Sequence, residues 1–143
     1  MKIVERSALV AYSPEQMFAV VNDVVAYPEF LPWCSGARIL SQSGIEMVAR
    51  LDLEKAGIKQ SFTTRNTWVR PATMEMNLVE GPFSHLKGVW SLQALGEVGC
   101  RVSVKLEFEL NSLVMNATLG RVFSVASDKM VDAFCQRAER IYG

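Results

Sequence analysis

Histidine is almost missing from this 143-residue chain: His85 is the only one, and the cysteines number three, Cys34, Cys100 and Cys135, spread far apart. A histidine-based dyad or triad would have to use His85, yet no motif around it supplies a nucleophile or an orienting acid. Scattered, unpaired thiols with no C-x-x-C pair argue against a disulfide framework and a zinc site, and for a reducing compartment. Cys34 has no basic neighbour in sequence and reads as a small buried hydrophobe. No run approaches the roughly 20 apolar residues that span a bilayer. The amino-terminal residues 1–6 are charged from the outset, without the apolar core and cleavage site of a leader. Charge of one sign is not in excess either, since fifteen basic residues balance fifteen acidic ones. That balance gives no support to DNA binding or to an anionic membrane surface. The carboxylates alternate with core positions, as on solvated faces, and nothing selects a catalytic pair. Together these features predict a cytoplasmic chain with no catalytic residue, no metal and no required cofactor. Contact with the inner membrane would be peripheral and transient.

What is present is an ordinary globular composition. Half of the residues are hydrophobic and 21% are charged, and a chain of this length buries roughly 68–70% of its unfolded surface. Residues 1–143 are read as one domain. Residues 2–11 read as a first strand. Ser13 then caps a helix, with Pro14 at its first position and Gln16 returning the hydrogen bond. Met17, Val20, Val21 and Val24 line one face of it. Pro28 stops or bends this helix near Tyr27, and a short helical turn follows through Pro32.

Period-two patterns come next. Met47, Ala49, Leu51 and Leu53 alternate with charged residues, as do Met74, Met76 and Leu78 with polar ones. The run Cys100, Val102, Val104, Leu106, Phe108, Leu110 is the most regular. Such alternation describes an antiparallel sheet with one wet face, punctuated by turns at Ser43-Gly44, Ala56-Gly57 and Arg70-Pro71. From Ser112 the period changes. Leu119, Val122, Phe123, Ala126, Met130, Ala133, Phe134 and Ile141 share a helical stripe that Arg121, Asp128, Asp132 and Glu139 avoid. Thirty helical residues would span about 45 Å, enough to cross the dry face of the sheet. Strands followed by one long helix give an α+β, two-layer architecture. A sheet curled around that helix leaves space in which apolar ligands bind.

Several segments carry two readings. Tyr27–Cys34 holds three aromatics, Tyr27, Phe30 and Trp33, with Leu31 and Pro32 among them. It is either a stiff lid offering flat apolar contact or a packed connection between helix and sheet. Gly81-Pro82-Phe83 reads as a turn, or as a loop at the opposite rim with Phe83 pointing inward. Leu86, Trp90 and Leu92 share a strand face with Gly88, whose missing side chain leaves room for a ligand or marks a bulge. On the helical stripe, Met115, Leu119, Phe123 and Met130 either pack as core or line a cavity at one end. Gly120 costs about 1 kcal/mol within a helix, so it marks a close approach or opens space. For an enzyme, the polar candidates within a cavity are His85, Arg65, Asn66 and Tyr27.

Three of these segments, in order and spacing, resemble a known family. They are Tyr27–Cys34, then Gly81–Trp90, then Leu106–Leu110 leading into Gly120-Arg121-Val122-Phe123 and Met130–Phe134. The chain resembles, over nearly its whole length, the coenzyme Q-binding subfamily of START-like (polyketide cyclase, SRPBCC) proteins, whose bacterial members are also called ribosome association toxins. The resemblance implies a helix-grip fold, with a seven-stranded antiparallel sheet gripping the C-terminal helix. It implies a hydrophobic tunnel that binds ubiquinone or a related isoprenoid lipid in support of respiratory electron transport, without catalysis. It further implies the large ribosomal subunit as an alternative partner, and, third, a polyketide cyclase or aromatase activity found in the wider fold family. Mitochondrial members carry an import extension, whereas this chain opens at its first strand, so a bacterial member is expected.

Overall fold

The computed structural model describes residues 1–97 and 99–143. Strand β1 (Lys2–Val10) leads into helix α1 (Pro14–Asn22) and a 3-10 helix (Val24–Glu29). Six strands follow: β2 (Cys34–Gln42), β3 (Glu46–Lys55), β4 (Ile58–Val69), β5 (Thr73–Glu80), β6 (Phe83–Leu95) and β7 (Gly99–Leu110). Three helical segments close the chain, α2 (Leu113–Ala117), α3 (Leu119–Asp128) and α4 (Met130–Tyr142). The seven strands form one curved antiparallel sheet in the order β1-β7-β6-β5-β4-β3-β2. Strands β2 to β7 therefore run as a meander, and β1 closes the far edge beside β7.

The inward face follows from the alternation. Every second residue of β7 from Cys100 to Leu110 is buried, and so are Leu86, Trp90 and Leu92 on β6. Burying such a face removes roughly 1.5–3 kcal/mol of exposure cost per large apolar side chain. Helix α1 starts as its residues dictate. Ser13 Oγ accepts from the Gln16 amide at 3.1 Å, and Gln16 Oε1 accepts from the Ser13 amide at 2.9 Å. The helix buries Met17, Phe18, Val20 and Val21.

The structure departs from the sequence reading at two helices. α1 ends at Asn22, five residues before Tyr27, because Asp23 leaves the helical region (φ −84°, ψ 66°). Val24 and Pro28 then both belong to the 3-10 helix. The C-terminal helix is not continuous but divides at Thr118 and again at Lys129 (φ −99°, ψ 0°). At each division a hydroxyl bonds back four residues: Thr118 Oγ1 donates to the Val114 carbonyl at 2.9 Å, and Ser127 Oγ to that of Phe123 at 2.7 Å. This back-bonding competes with the helical ladder and bends it. The predicted stripe still faces the sheet through Leu119, Phe123 and Phe134, with Val131 and Ala138 added to it. Ile141 does not share in it and is 49% exposed. The end of α4 is instead held by Tyr142, whose hydroxyl donates to the Gln16 carbonyl at 3.0 Å.

Candidate functional site

Two groups of edge-to-face aromatic rings anchor the helices to the sheet. Phe123 of α3 meets Phe108 at 4.7 Å, Phe83 at 5.1 Å and Phe62 at 5.8 Å between ring centroids. Phe134 of α4 meets Trp90 at 4.9 Å, Phe30 at 5.1 Å and Tyr27 at 5.2 Å. Edge-to-face pairs of this kind contribute about 0.5–1.5 kcal/mol each beyond the area they bury. Between the two groups the packing leaves an internal cavity of about 60 Å³.

Its walls come from every layer. The 3-10 helix and the segment after it contribute Tyr27, Leu31 and Trp33; β3 and β4 contribute Ala49, Leu51, Phe62, Thr64 and Asn66. Met76, Leu86, Gly88, Trp90 and Leu106 form the floor, with Phe123, Met130 and Phe134 above. Beyond residues 31–33 lies an open groove of about 320 Å³, bounded by them, the β3–β4 turn and the outer side of α3. Leu31, Trp33 and Met130 line both spaces. These three side chains are the partition between cavity and groove.

Most of the expected contacts converge. Tyr27, Leu31, Trp33, Leu86, Trp90, Phe123 and Met130 line the cavity, and Pro32 lines the groove. Phe30 sits behind Tyr27 and Phe134, with the Arg137 guanidinium 5.2 Å over its ring. Phe83 and Leu119 are buried but pack behind the wall: Phe83 meets Phe62 and Phe123 edge to face, and Leu119 is 1% exposed. Gly88 faces the cavity in regular register opposite Met76, so it marks no bulge. A Cβ at Gly88 would lie 2.4 Å from Met76 Cε, so the space it leaves is filled by a methionine tip. Gly120 is neither tight nor open, since a Cβ there would make ordinary contact at 3.6 Å with Leu110.

The polar residues divide. Arg65 points outward to Glu46 at 3.3 Å, and His85 pairs with Glu109 across β6 and β7 without lining the cavity. Tyr27 and Asn66 do line it. The Tyr27 hydroxyl donates to the Val21 carbonyl, and burial holds its pKa above the ordinary phenol range. Burial likewise pushes the thiols of Cys34 and Cys135 up to about 11, so both stay neutral and weakly nucleophilic near pH 7. The sequence reading placed Ala49, Leu51, Met76 and Leu106 in alternating strands without naming them as walls, and it missed Phe62 and Thr64, whose strand shows no clean alternation.

A curved antiparallel sheet closed by C-terminal helices over an apolar cavity is the helix-grip, START-like arrangement. The chain belongs to the polyketide cyclase / dehydrase and lipid transport family, whose model matches residues 10–135. It is 49% identical over 140 residues to the ribosome association toxin RatA of Pseudomonas aeruginosa, covering 98% of this chain and 97% of that one. It is 28% identical to the mitochondrial coenzyme Q-binding protein COQ10 of Drosophila melanogaster, covering 96% of this chain and 59% of that one. Among solved structures, the Zhui aromatase/cyclase from a Streptomyces species superimposes with a TM-score of 0.87 at 21% identity, covering 99% of this chain and 96% of that one. That last likeness concerns the fold alone.

Proposed function

We propose that the protein binds a ubiquinone-like isoprenoid lipid, its ring in the internal cavity and its tail in the groove, and shelters it without altering it chemically. The observation that carries this reading is the shared partition. An aromatic cavity and an apolar groove meet at Leu31, Trp33 and Met130. As it stands the cavity, about 60 Å³, has room for about two waters at ~30 Å³ each. The groove, about 320 Å³, sits at the lower end of the ~300–1,000 Å³ typical of ligand sites. A ring therefore enters when the partition moves. Met130 is the adaptable member, an unbranched thioether placed one residue after the division between α3 and α4. The ligand partitions into membranes, so loading takes a transient contact of this cytoplasmic protein with the inner membrane. Organic extraction and native mass spectrometry of the purified protein test the reading. The expected result is a co-purifying prenyl quinone or, for stripped protein, saturable uptake of a short-chain ubiquinone. Neither being found would defeat it.

A second reading, association with the ribosome, is favoured by the 49% identity to a ribosome association toxin, and the family resemblance points it to the large subunit. It calls for an outer surface and leaves the cavity free, so the two readings are compatible. Sucrose-gradient profiles of ribosomes with added protein test it. A shift from joined ribosomes to free subunits is expected, and an unchanged profile at excess protein would remove it.

A further inference from the structure

The cavity wall is not uniformly apolar. The inward positions of β4 run Phe62, Thr64, Asn66, and the last two are 7% and 4% exposed. Thr64 Oγ1 donates to Asn66 Oδ1 at 2.8 Å. The threonine thus holds the carboxamide by its oxygen. The oxygen being held by Thr64, the amide nitrogen is left facing the cavity that Asn66 lines. Among the described residues the buried side-chain polar atom left without a partner is Asn22 Oδ1, so the Asn66 amide is open to the cavity, where a ligand oxygen takes the place of water as its acceptor. The rest of the wall constrains what that oxygen belongs to. No lysine or arginine lines the cavity among the described residues, so a carboxylate or phosphate would be buried there without a counter-charge. A neutral carbonyl oxygen is accepted instead. Tyr27, Trp33, Trp90 and Phe134 surround the same space with ring faces and edges suited to a planar ring.

We propose that Thr64 and Asn66 form the head-group contact: Asn66 donates a hydrogen bond to a ring carbonyl of the bound molecule, and Thr64 fixes the amide in the donating orientation. The inference rests on the ligand reading above and narrows it to apolar molecules with a neutral ring carbonyl, as against plain isoprenoid hydrocarbons and fatty acids. Asn66 acts on specificity and Thr64 is a positioning residue.

The test is calorimetric titration of wild type, Asn66→Leu and Thr64→Val with two ligands. One is a ubiquinone bearing two isoprene units, the other the matching isoprenoid hydrocarbon without a ring. In Asn66→Leu the preference for quinone over hydrocarbon falls about tenfold, the loss expected for one buried hydrogen bond. In Thr64→Val, which keeps the donor but frees its orientation, the preference falls by a smaller factor. An unchanged preference in the variants overturns the head-group role while the ligand reading stands. Failure of wild type to bind either ligand overturns both. If Asn66→Leu does not fold, Thr64→Val decides, and an undiminished preference there refutes the proposal. In a further titration of wild type, a fatty acid of matching length bound more tightly than the quinone also contradicts it.

Discussion

Filling the cavity separates its structural cost from its use. Ala49 lies on β3, is 2% exposed, and forms part of the cavity wall opposite Thr64 in the strand register. Ala49→Val adds two carbon atoms into that space and suits a strand. A void of about 60 Å³ carries a cost of at most ~1.4 kcal/mol at about 24 cal/mol per Å³. Filling part of it recovers some of that, and misfit of the new methyl groups opposes it by about 1–3 kcal/mol when the wall cannot adjust. The net change in unfolding free energy is therefore small, between about +1 and −2 kcal/mol. Urea denaturation followed by tryptophan fluorescence measures it. Binding of a short-chain ubiquinone, measured on the same samples, falls at least tenfold because the ring's space is taken. Two outcomes refute the reasoning. A loss well beyond 3 kcal/mol shows that no void exists beside Ala49, and unchanged quinone affinity with native stability shows that the ring does not bind there.

Phe123→Ala removes the ring that meets Phe62, Phe83 and Phe108, and should cost about 3–5 kcal/mol in urea denaturation; a cost under 1 kcal/mol would deny that α3 is anchored by it. Gly81→Ala places a Cβ 2.7 Å from Phe62 Cβ at φ +155°, a backbone region that side chains avoid, so a loss of about 1–3 kcal/mol is expected in the same assay. Burial raises the thiols of Cys34 and Cys135 to about 11 in the folded chain from an ordinary value of 9.0. The unfolded chain thus releases these protons first, and the stability they contribute is full below pH 9 and is lost as pH rises toward 11. The denaturation midpoint should fall over that interval and fall less in Cys34→Ala/Cys135→Ala; equal profiles would remove the thiols as the cause. Alkylation at pH 8 should be much slower for the folded chain than in urea.

How much of this was readable from the residues depends on which face carried the signal. β7 was legible because its inward residues, Cys100 to Leu110, are all apolar and its outward ones polar. The capping box at Ser13 was equally plain, whereas Tyr27–Cys34 left a lid and a packed connection as open alternatives. β4 was not, because its inward positions include Thr64 and Asn66, and polar residues pointing inward erase the alternation that marks a strand. β2 was obscured in another way, by register shifts at Cys34/Gly36 and Ile39/Ser41 that break its period. The stripe from Leu119 to Phe134 revealed which helical face meets the sheet. It did not reveal the divisions at Thr118 and Lys129, since a hydroxyl that bends a helix leaves the hydrophobic period untouched. The partition could not be read at all. Leu31, Trp33 and Met130 are brought together by tertiary packing, and no local pattern relates residues a hundred positions apart.

Photocrosslinking with a short-chain quinone carrying a photoreactive group on its ring, followed by peptide mass spectrometry, tests the central claim most directly. The account predicts saturable labelling of the residues that wall the cavity, with Trp33, Trp90, Asn66 and Met130 among the modified positions, abolished by excess unlabelled ubiquinone. Labelling confined to exposed residues away from the cavity, or labelling that excess ubiquinone does not compete away, would contradict it.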